Sequence, residues 1–240
     1  MTYPIQFVSL GPGDPELITL KGLKALRDAD CIFCPETLNR NGEVRSRAAD
    51  ILSGVGIIDE SVIRRFRLGM SKQRAEAFTA YERVYEQALS LHLEGHKVCI
   101  VAEGDAGFYS SIHYVYDKLK AQGIPVLHIP GIPAFIAAGA CAGLHVASGE
   151  QQLTVLPGTT TAEELGRLLG QENAVVIMKL SQCTDEVHRF IRLHPEHTYH
   201  YFENVGTPDE VYLNDSNQIA SIRFPYFSLL IIGKSTISHA

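Results

Sequence analysis

The chain alternates short apolar runs with amphipathic stretches of helical period. Residues 3–10 form an apolar run that predicts a buried strand, ending at Gly11-Pro12-Gly13-Asp14-Pro15. Thr19 is placed to cap a helix reaching about Asp28, with Leu20, Leu23 and Leu26 on one face. Residues 30–34 predict a second strand, 39–50 a polar segment of helical character, and 56–59 a short third strand. Ser71 is placed to cap a long helix from Lys72 to about Leu93, which Gly95 stops. Ala75, Phe78, Tyr81, Val84, Tyr85, Ala88 and Leu91 recur along it at helical spacing. A strand at 97–102, a helix at 112–122, a strand at 125–129 and a turn at 130–133 follow. The alternation continues through 153–156, 162–169, 174–178, 184–191, 197–202 and 227–232.

Strands separated by helices predict an α/β fold with mostly parallel sheets. A length of 240 residues is roughly one and a half times the usual ~150-residue domain. About ten strands exceed one comfortable small sheet. The chain is therefore expected to divide near Gly131 into an N-terminal α/β domain, residues 1–131, and a C-terminal α/β domain, residues 132–240. No internal repeat or low-complexity segment is visible.

Composition narrows the class. Hydrophobic content of 45% and charged content of 20% are ordinary for a globular chain and argue against disorder. A net charge of −6 weighs against nucleic acid as partner, yet allows an anionic small molecule held by a local basic patch. The longest apolar run, residues 134–147, is interrupted by glycine and by His145 and is too short to span a bilayer. The first residues lack a basic segment ahead of an apolar one, so no secretory signal is expected and a cytoplasmic location is. Five cysteines without framework spacing suggest reduced thiols. Cys31 and Cys34 sit three apart in a predicted strand, where they point to opposite faces and cannot share a metal.

Candidate chemistry concentrates in three loops that follow predicted strands: residues 11–14, 103–107 and 130–133. Open α/β sheets bind ligands outside the carboxyl ends of their strands, and glycine there lets a ligand approach the backbone. The first loop is not a dinucleotide fingerprint, since Glu16 stands where a third glycine is needed and Pro12 lacks an N–H for a pyrophosphate. No phosphate-binding loop or hydrolase nucleophile elbow is present. His92 and His96 do not form the zinc-protease pattern. His194, His197 and His200 flank a strand start, but no carboxylate or cysteine is evident to complete a ligand set, so no metal is expected. Lone His113 and His128 read as packed or surface residues. The densest basic cluster is Arg64, Arg65 and Arg67 with Lys72 and Arg74 nearby, which reads either as a solvated loop or as a carboxylate-recognition patch.

Taken together, the loops resemble the tetrapyrrole (corrin/porphyrin) methyltransferase family, which uses S-adenosylmethionine. Val8-Ser9-Leu10-Gly11-Pro12-Gly13-Asp14-Pro15-Glu16-Leu17-Ile18-Thr19-Leu20-Lys21 is similar to its opening motif. Glu103-Gly104-Asp105-Ala106-Gly107-Phe108-Tyr109 is similar to its central loop, with Ala106 in place of the usual proline. Ile129-Pro130-Gly131-Ile132-Pro133-Ala134 matches its third turn, with Pro133 as a departure. Glu103, Phe108-Tyr109-Ser110-Ser111, residues 153–158 and residues 226–230 look most like the branch that methylates the C-20 meso carbon of precorrin-2 or cobalt-factor II in cobalamin biosynthesis.

The resemblance implies two α/β domains with a cleft between them, a homodimer, and an anionic tetrapyrrole substrate. It places cofactor contacts at Pro12, Glu103, Gly104, Asp105, Phe108, Pro133, Ala134, Met178, Val205 and Ser228. Methyl transfer to a meso carbon needs a base for the departing proton; Asp105, Glu103, Tyr109 and His113 are considered, with Asp105 and Tyr109 as the catalytic assignment. Arg64, Arg65, Arg67, Lys72 and Arg74 would form a basic lip for the substrate carboxylates. Methylation at another corrin carbon, another methyl acceptor (a diphthamide precursor or ribosomal RNA), and a non-catalytic adenosyl-ligand-binding protein remain alternatives.

Overall fold

A computed structural model describes residues 3–38, 44–57, 59–68, 74–170 and 173–234. The chain separates into two compact units, Met1–Pro133 and Ala134–Ala240.

The first unit runs β1 (Ile5–Ser9), α1 (Leu20–Arg27), β2 (Cys31–Leu38), β3 (Val44–Arg45), α2 (Arg47–Gly54), β4 (Ile63–Leu68), α3 (Arg74–Leu93), β5 (Val98–Ala102), α4 (His113–Ala121) and β6 (Val126–Ile129). β2, β5, β1 and β6 lie side by side, all parallel. β4 joins β2 in parallel, and the short β3 joins it antiparallel. Thr19 caps α1 as predicted, its Oγ1 accepting from the Gly22 N–H at 3.1 Å. Gly95, at φ +91°, ends α3 while the His96 N–H reaches back to the Leu91 carbonyl at 3.0 Å.

Both faces of this sheet are covered, so its central strands are apolar on both sides. Val8, Leu10, Ile32, Cys34, Cys99 and Val101 pack against Leu26 of α1 and Ile51 and Leu52 of α2. Phe7, Cys31, Phe33, Val98 and Ile100 pack against Tyr85 and Ala88 of α3 and Val115 and Leu119 of α4. Cys31 and Cys34 fall on opposite faces, as the strand period requires. Burial pushes the Cys34 thiol up to about 11, which suits a packing residue rather than a metal thiolate.

The basic segment differs from expectation. Of residues 56–59, the described 56, 57 and 59 are not in a strand: Gly56, at φ +78°, turns the chain after α2, and the next parallel strand is β4. Its three arginines hide it from an apolar pattern, because an edge strand can keep one margin polar. Of residues 39–50, 44–50 are described, and among these a helix starts at Arg47, capped by Ser46, whose Oγ accepts from the Ala49 N–H at 3.0 Å. The expected cap at Ser71 lies outside the described residues.

The second unit comprises α5 (Ala134–Cys141), β7 (Leu153–Leu156), α6 (Ala162–Leu169), β8 (Ala174–Met178), α7 (Thr184–Leu193), β9 (His197–Glu203), β10 (Val211–Leu213), α8 (Ser216–Ile219) and β11 (Ser228–Lys234). Its strand order is β10-β9-β11-β8-β7. The first unit carries the mostly parallel character expected; here only β7 with β8 is parallel among the described pairings, and the other three are antiparallel. The chain reaches β11 last and inserts it between β8 and β9, reversing the local direction. Leu165, Leu169, Val187 and Phe190 from α6 and α7 cover Val175, Ile177, Tyr199, Tyr201, Leu230 and Ile232.

Gly158 follows β7 at φ +91°, and a Cβ on it would stand 2.6 Å from the Met178 carbonyl oxygen and 2.7 Å from that of Lys179. Gly158→Ala is therefore expected to destabilise the protein by about 2 kcal/mol or more, from strain plus carbonyl crowding. Urea unfolding checks it.

Candidate functional site

β1 and β5 are adjacent and parallel, but their following helices leave in opposite directions. α1 packs on the Val8 and Val101 face, whereas α4 packs on the Phe7 and Ile100 face. The crevice outside their carboxyl ends is thus a topological switch point, where an open sheet binds ligands. Two of the three sequence loops leave from these strands, and the third leaves from the neighbouring β6.

The backbone there is joined loop to loop. The Gly104 N–H donates to the Gly11 carbonyl at 2.7 Å, and the Gly11 N–H donates to the Gly104 carbonyl at 3.1 Å. Both glycines have positive φ, +81° and +66°, which side chains rarely tolerate. A Cβ at Gly104 would have nothing within 4 Å, so the space before this α-carbon is open. A Cβ at Gly131 would instead stand 2.5 Å from the Ser9 Cβ and 2.7 Å from the Gly104 oxygen.

Asp105 is committed within this junction. Its Oδ1 accepts from the Gly107 N–H at 2.8 Å and its Oδ2 from the Gly131 N–H at 2.7 Å, tying the β5 loop to the β6 loop. Ser9 completes the tie to β1: its buried Oγ accepts from the Ala106 N–H at 2.9 Å and lies 3.5 Å from His128 Nε2. The same His128 nitrogen is 3.7 Å from Asp105 Oδ1, and a Cβ at Gly107 would stand 2.6 Å from the His128 Cε1. Ser9 and His128 were not expected at the site. The signal available for both was position, each lying on a strand within two residues of a glycine loop.

Glu103 faces the α1–α2 side. Burial raises its carboxyl above the usual range; the Arg47 guanidinium opposes the shift and Asp50 adds to it. Tyr109 is 44% exposed and held at φ +50°, with its ring 4.6 Å from that of Phe108. His113 opens α4, and its Nδ1 lies 2.8 Å from the Ser110 carbonyl. In the neutral ring the nitrogen facing a carbonyl carries the proton, and Nε2 is then the acceptor.

Among the described residues of the basic cluster, Arg64 is divided from Arg65 and Arg67. Along β4, Phe66 and Leu68 pack toward the α3–α4 face and Ile63 toward the α1–α2 face. Strand alternation places Arg64 with Phe66, and Arg65 with Arg67 on the other side. Arg65 donates to Glu60 at 2.6 and 3.3 Å and lies 3.6 Å from Glu36. Lys72 lies outside the described residues, as does the Arg74 side chain.

In the second unit, Met178 ends β8, Val205 follows β9 and Ser228 begins β11. Leu229 pairs with Met178 and Ser228 with Glu203, so the three reach one edge of that sheet. Val205 and Ser228 are buried, and the Ser228 hydroxyl donates to the Pro225 carbonyl at 2.7 Å. Pro133 closes the first unit and Ala134 opens α5. The histidine group also differs from expectation. Glu196 joins His194 and His197, whereas His200 leaves for the Tyr212 hydroxyl at 2.9 Å.

Comparison with known proteins places this geometry in a family. The chain is 31% identical over 229 residues to a precorrin-2 C(20)-methyltransferase of Sinorhizobium sp, covering 94% of this chain and 93% of the relative. It is 28% identical over 180 residues to a probable cobalt-precorrin-2 C(20)-methyltransferase of Methanocaldococcus jannaschii, covering 75% and 74%. Among solved structures, a cobalt precorrin-4 methyltransferase superposes with a TM-score of 0.71 at 21% identity, covering 96% and 94%. A uroporphyrin-III C-methyl transferase from Thermus thermophilus, complexed with S-adenyl homocysteine, gives 0.64 at 20% identity, covering 96% and 97%. The model of the Tetrapyrrole (Corrin/Porphyrin) Methylases matches residues 4–218, and the chain belongs to that family.

Proposed function

We propose that this protein is an S-adenosylmethionine-dependent C-methyltransferase that acts on the C-20 meso carbon of precorrin-2 or cobalt-factor II in cobalamin biosynthesis. The observation that carries the reading is the open, left-handed backbone at Gly104, bonded to Gly11 at the switch point. Identity of 31% across nearly the whole length of a C(20)-methylating relative supports the substrate.

The residues present fit an adenosyl sulfonium better than a phosphorylated cofactor. Pro12 offers no N–H, and the β5 loop carries Glu103 and Asp105 instead of cations. Pro12, Glu103, Gly104, Asp105, Phe108, Pro133 and Ala134 would hold the cofactor, with Met178, Val205 and Ser228 assigned from the second unit. When bound, the cofactor supplies a methyl group already activated on sulfur. The protein's work is then orientation, exclusion of water and proton management.

Asp105 is a positioning residue in this scheme, because both of its oxygens already accept backbone N–H groups. Proton removal falls to Tyr109 or to His113 Nε2, both on the segment entering α4. Of the arginines, Arg67 is the better substrate contact, since Glu60 and Glu36 already offset the Arg65 charge. We also propose a homodimer in the cytoplasm. No helix among the described residues is long and apolar enough to cross a membrane.

The deciding experiment supplies labelled S-adenosylmethionine with precorrin-2 or with cobalt-factor II and locates the new methyl group by NMR. A label on C-20 is expected. A label on another corrin carbon would move the substrate assignment, and no transfer from a folded protein would favour the binding-protein alternative.

Asp105→Asn should cost about 1–3 kcal/mol of stability, because an amide NH2 must then face a backbone N–H. It should weaken S-adenosylhomocysteine binding in calorimetry along with turnover. Lost turnover with binding and Tm unchanged would make Asp105 the base instead. Arg67→Ala should raise the apparent substrate dissociation constant about tenfold, as one charge-assisted contact is worth about 1.5 kcal/mol, and leave cofactor binding in place.

Glu103 adds a pH test. A carboxyl whose folded pKa stands above its unfolded value contributes stability fully below the unfolded pKa, and that contribution is lost as pH rises through the folded pKa. Glu103→Gln is therefore expected to raise Tm in mildly alkaline buffer and to change it little in acid, while removing the carboxylate offered to the cofactor. A lower Tm in alkali would mean that the Arg47 interaction outweighs burial.

A further inference from the structure

We infer that His194, Glu196 and His197 form a binding site for a divalent transition-metal ion of the zinc class, at the end of the second unit's sheet opposite to Met178, Val205 and Ser228. The residues occupy the short connection His194-Pro195-Glu196-His197 between α7 and β9. His194 Nδ1 lies 3.0 Å from Glu196 Oε1, and His197 Nε2 lies 3.9 Å from the same oxygen. All three donor atoms fall within 4.8 Å of one another. Ligands at ~2.0–2.1 Å in a tetrahedral zinc site stand about 3.3 Å apart. Modest side-chain rotation therefore closes the set around one ion, and water fills the fourth position.

The imidazoles are held in place by groups that do not bind the ion. Phe190, fully buried, stacks on His194 at 4.5 Å and 28° and on His197 at 5.8 Å and 16°. The Tyr199 hydroxyl donates to the His194 carbonyl at 2.6 Å, and the His197 N–H donates to the same carbonyl at 3.4 Å. Pro195 restricts the connecting backbone. Contact with one buried ring restricts the rotation of both imidazoles.

Burial grades outward from the core: His197 has 11% of its side chain exposed, His194 37% and Glu196 61%. The carboxylate side thus gives an entry path. Two imidazoles with one carboxylate suit zinc, cobalt or nickel better than the all-oxygen shells of calcium and magnesium. His200 is excluded because residues three apart on a strand face opposite sides.

The site lies at the far end of the sheet from Met178, Val205 and Ser228. His197 pairs with Lys234, whereas Glu203, six residues on, pairs with Ser228, a separation of roughly 20 Å at the usual strand rise. A metal here clips the C-terminus of α7 to the start of β9.

The test uses tag-free protein stripped with a chelator, then titrated with Zn²⁺ by calorimetry and with Co²⁺ by visible absorption. One ion per chain should bind, Tm should rise saturably, and Co²⁺ should give the intense bands of a low-coordinate nitrogen–oxygen site. His197→Ala and Glu196→Gln should each weaken Zn²⁺ at least tenfold, since even loss of a supporting group costs about 10–100-fold, while His200→Ala should not. Glu196 is exposed, so its variant keeps the test valid if His197→Ala misfolds. Absence of saturable binding, or equal affinity in Glu196→Gln, would overturn the assignment.

Discussion

A parallel strand that ends leaves backbone donors and acceptors that no neighbouring strand satisfies, and the first unit resolves this at one point. Gly11 and Gly104 bond to each other, and Asp105 takes the N–H groups of Gly107 and Gly131. Three chain segments distant in sequence are thereby held at one carboxyl edge. The strands could form their ladder without this junction, but the loops would have no fixed spacing for a ligand to read. Ser9 and His128 add lateral support from β1 and β6, so each of the three strands contributes a side chain or backbone group to the tie.

The second unit reaches the same end by another route. Inserting β11 antiparallel between β8 and β9 places a strand start beside two strand ends, so one edge collects Met178, Val205 and Ser228. Lys179 and Asn204, just beyond β8 and β9, both adopt positive φ, +58° and +50°. Non-glycine residues held there mark backbone bent by its surroundings. Gly158 packs under the first of these bends, against the carbonyls of Met178 and Lys179.

Much of this was legible because two periods do most of the encoding. Strand period two placed Cys31 and Cys34 on opposite faces, and the helix cap at Thr19 followed from residue chemistry alone. The same period, had it been applied to Arg64, Arg65 and Arg67, would have split them. A run of charge reads as a loop, and β4 carries its apolar positions only at Ile63, Phe66 and Leu68. The antiparallel β11 was not legible, since pairing direction follows from where the last segment enters the sheet and leaves no local composition signal. Glu196 was overlooked for a similar reason. Its closeness to both histidines depends on a turn braced by Tyr199 and Phe190, which spacing alone does not specify.

Charge sets a last constraint on how the proposed reaction can be arranged. A chain of net charge −6 offers carboxylates readily to a cationic sulfonium, and Glu103 with Asp105 lies where one would be held. Those same groups oppose a polycarboxylate substrate. Screening confines the conflict to about 8 Å at physiological salt, so substrate carboxylates must dock at least that far from the β5 loop or meet local cations. β4, the strand next to β2 and two strands from β5, provides such cations at the required remove, neighbouring strands lying about 4.8 Å apart. Arg65 is largely neutralised by Glu60 and Glu36, and Arg64 faces the opposite side of the sheet from it. Among the described residues of this unit, the proposed substrate contact therefore rests on few charges, and removing one should be felt more strongly than in a diffuse basic patch.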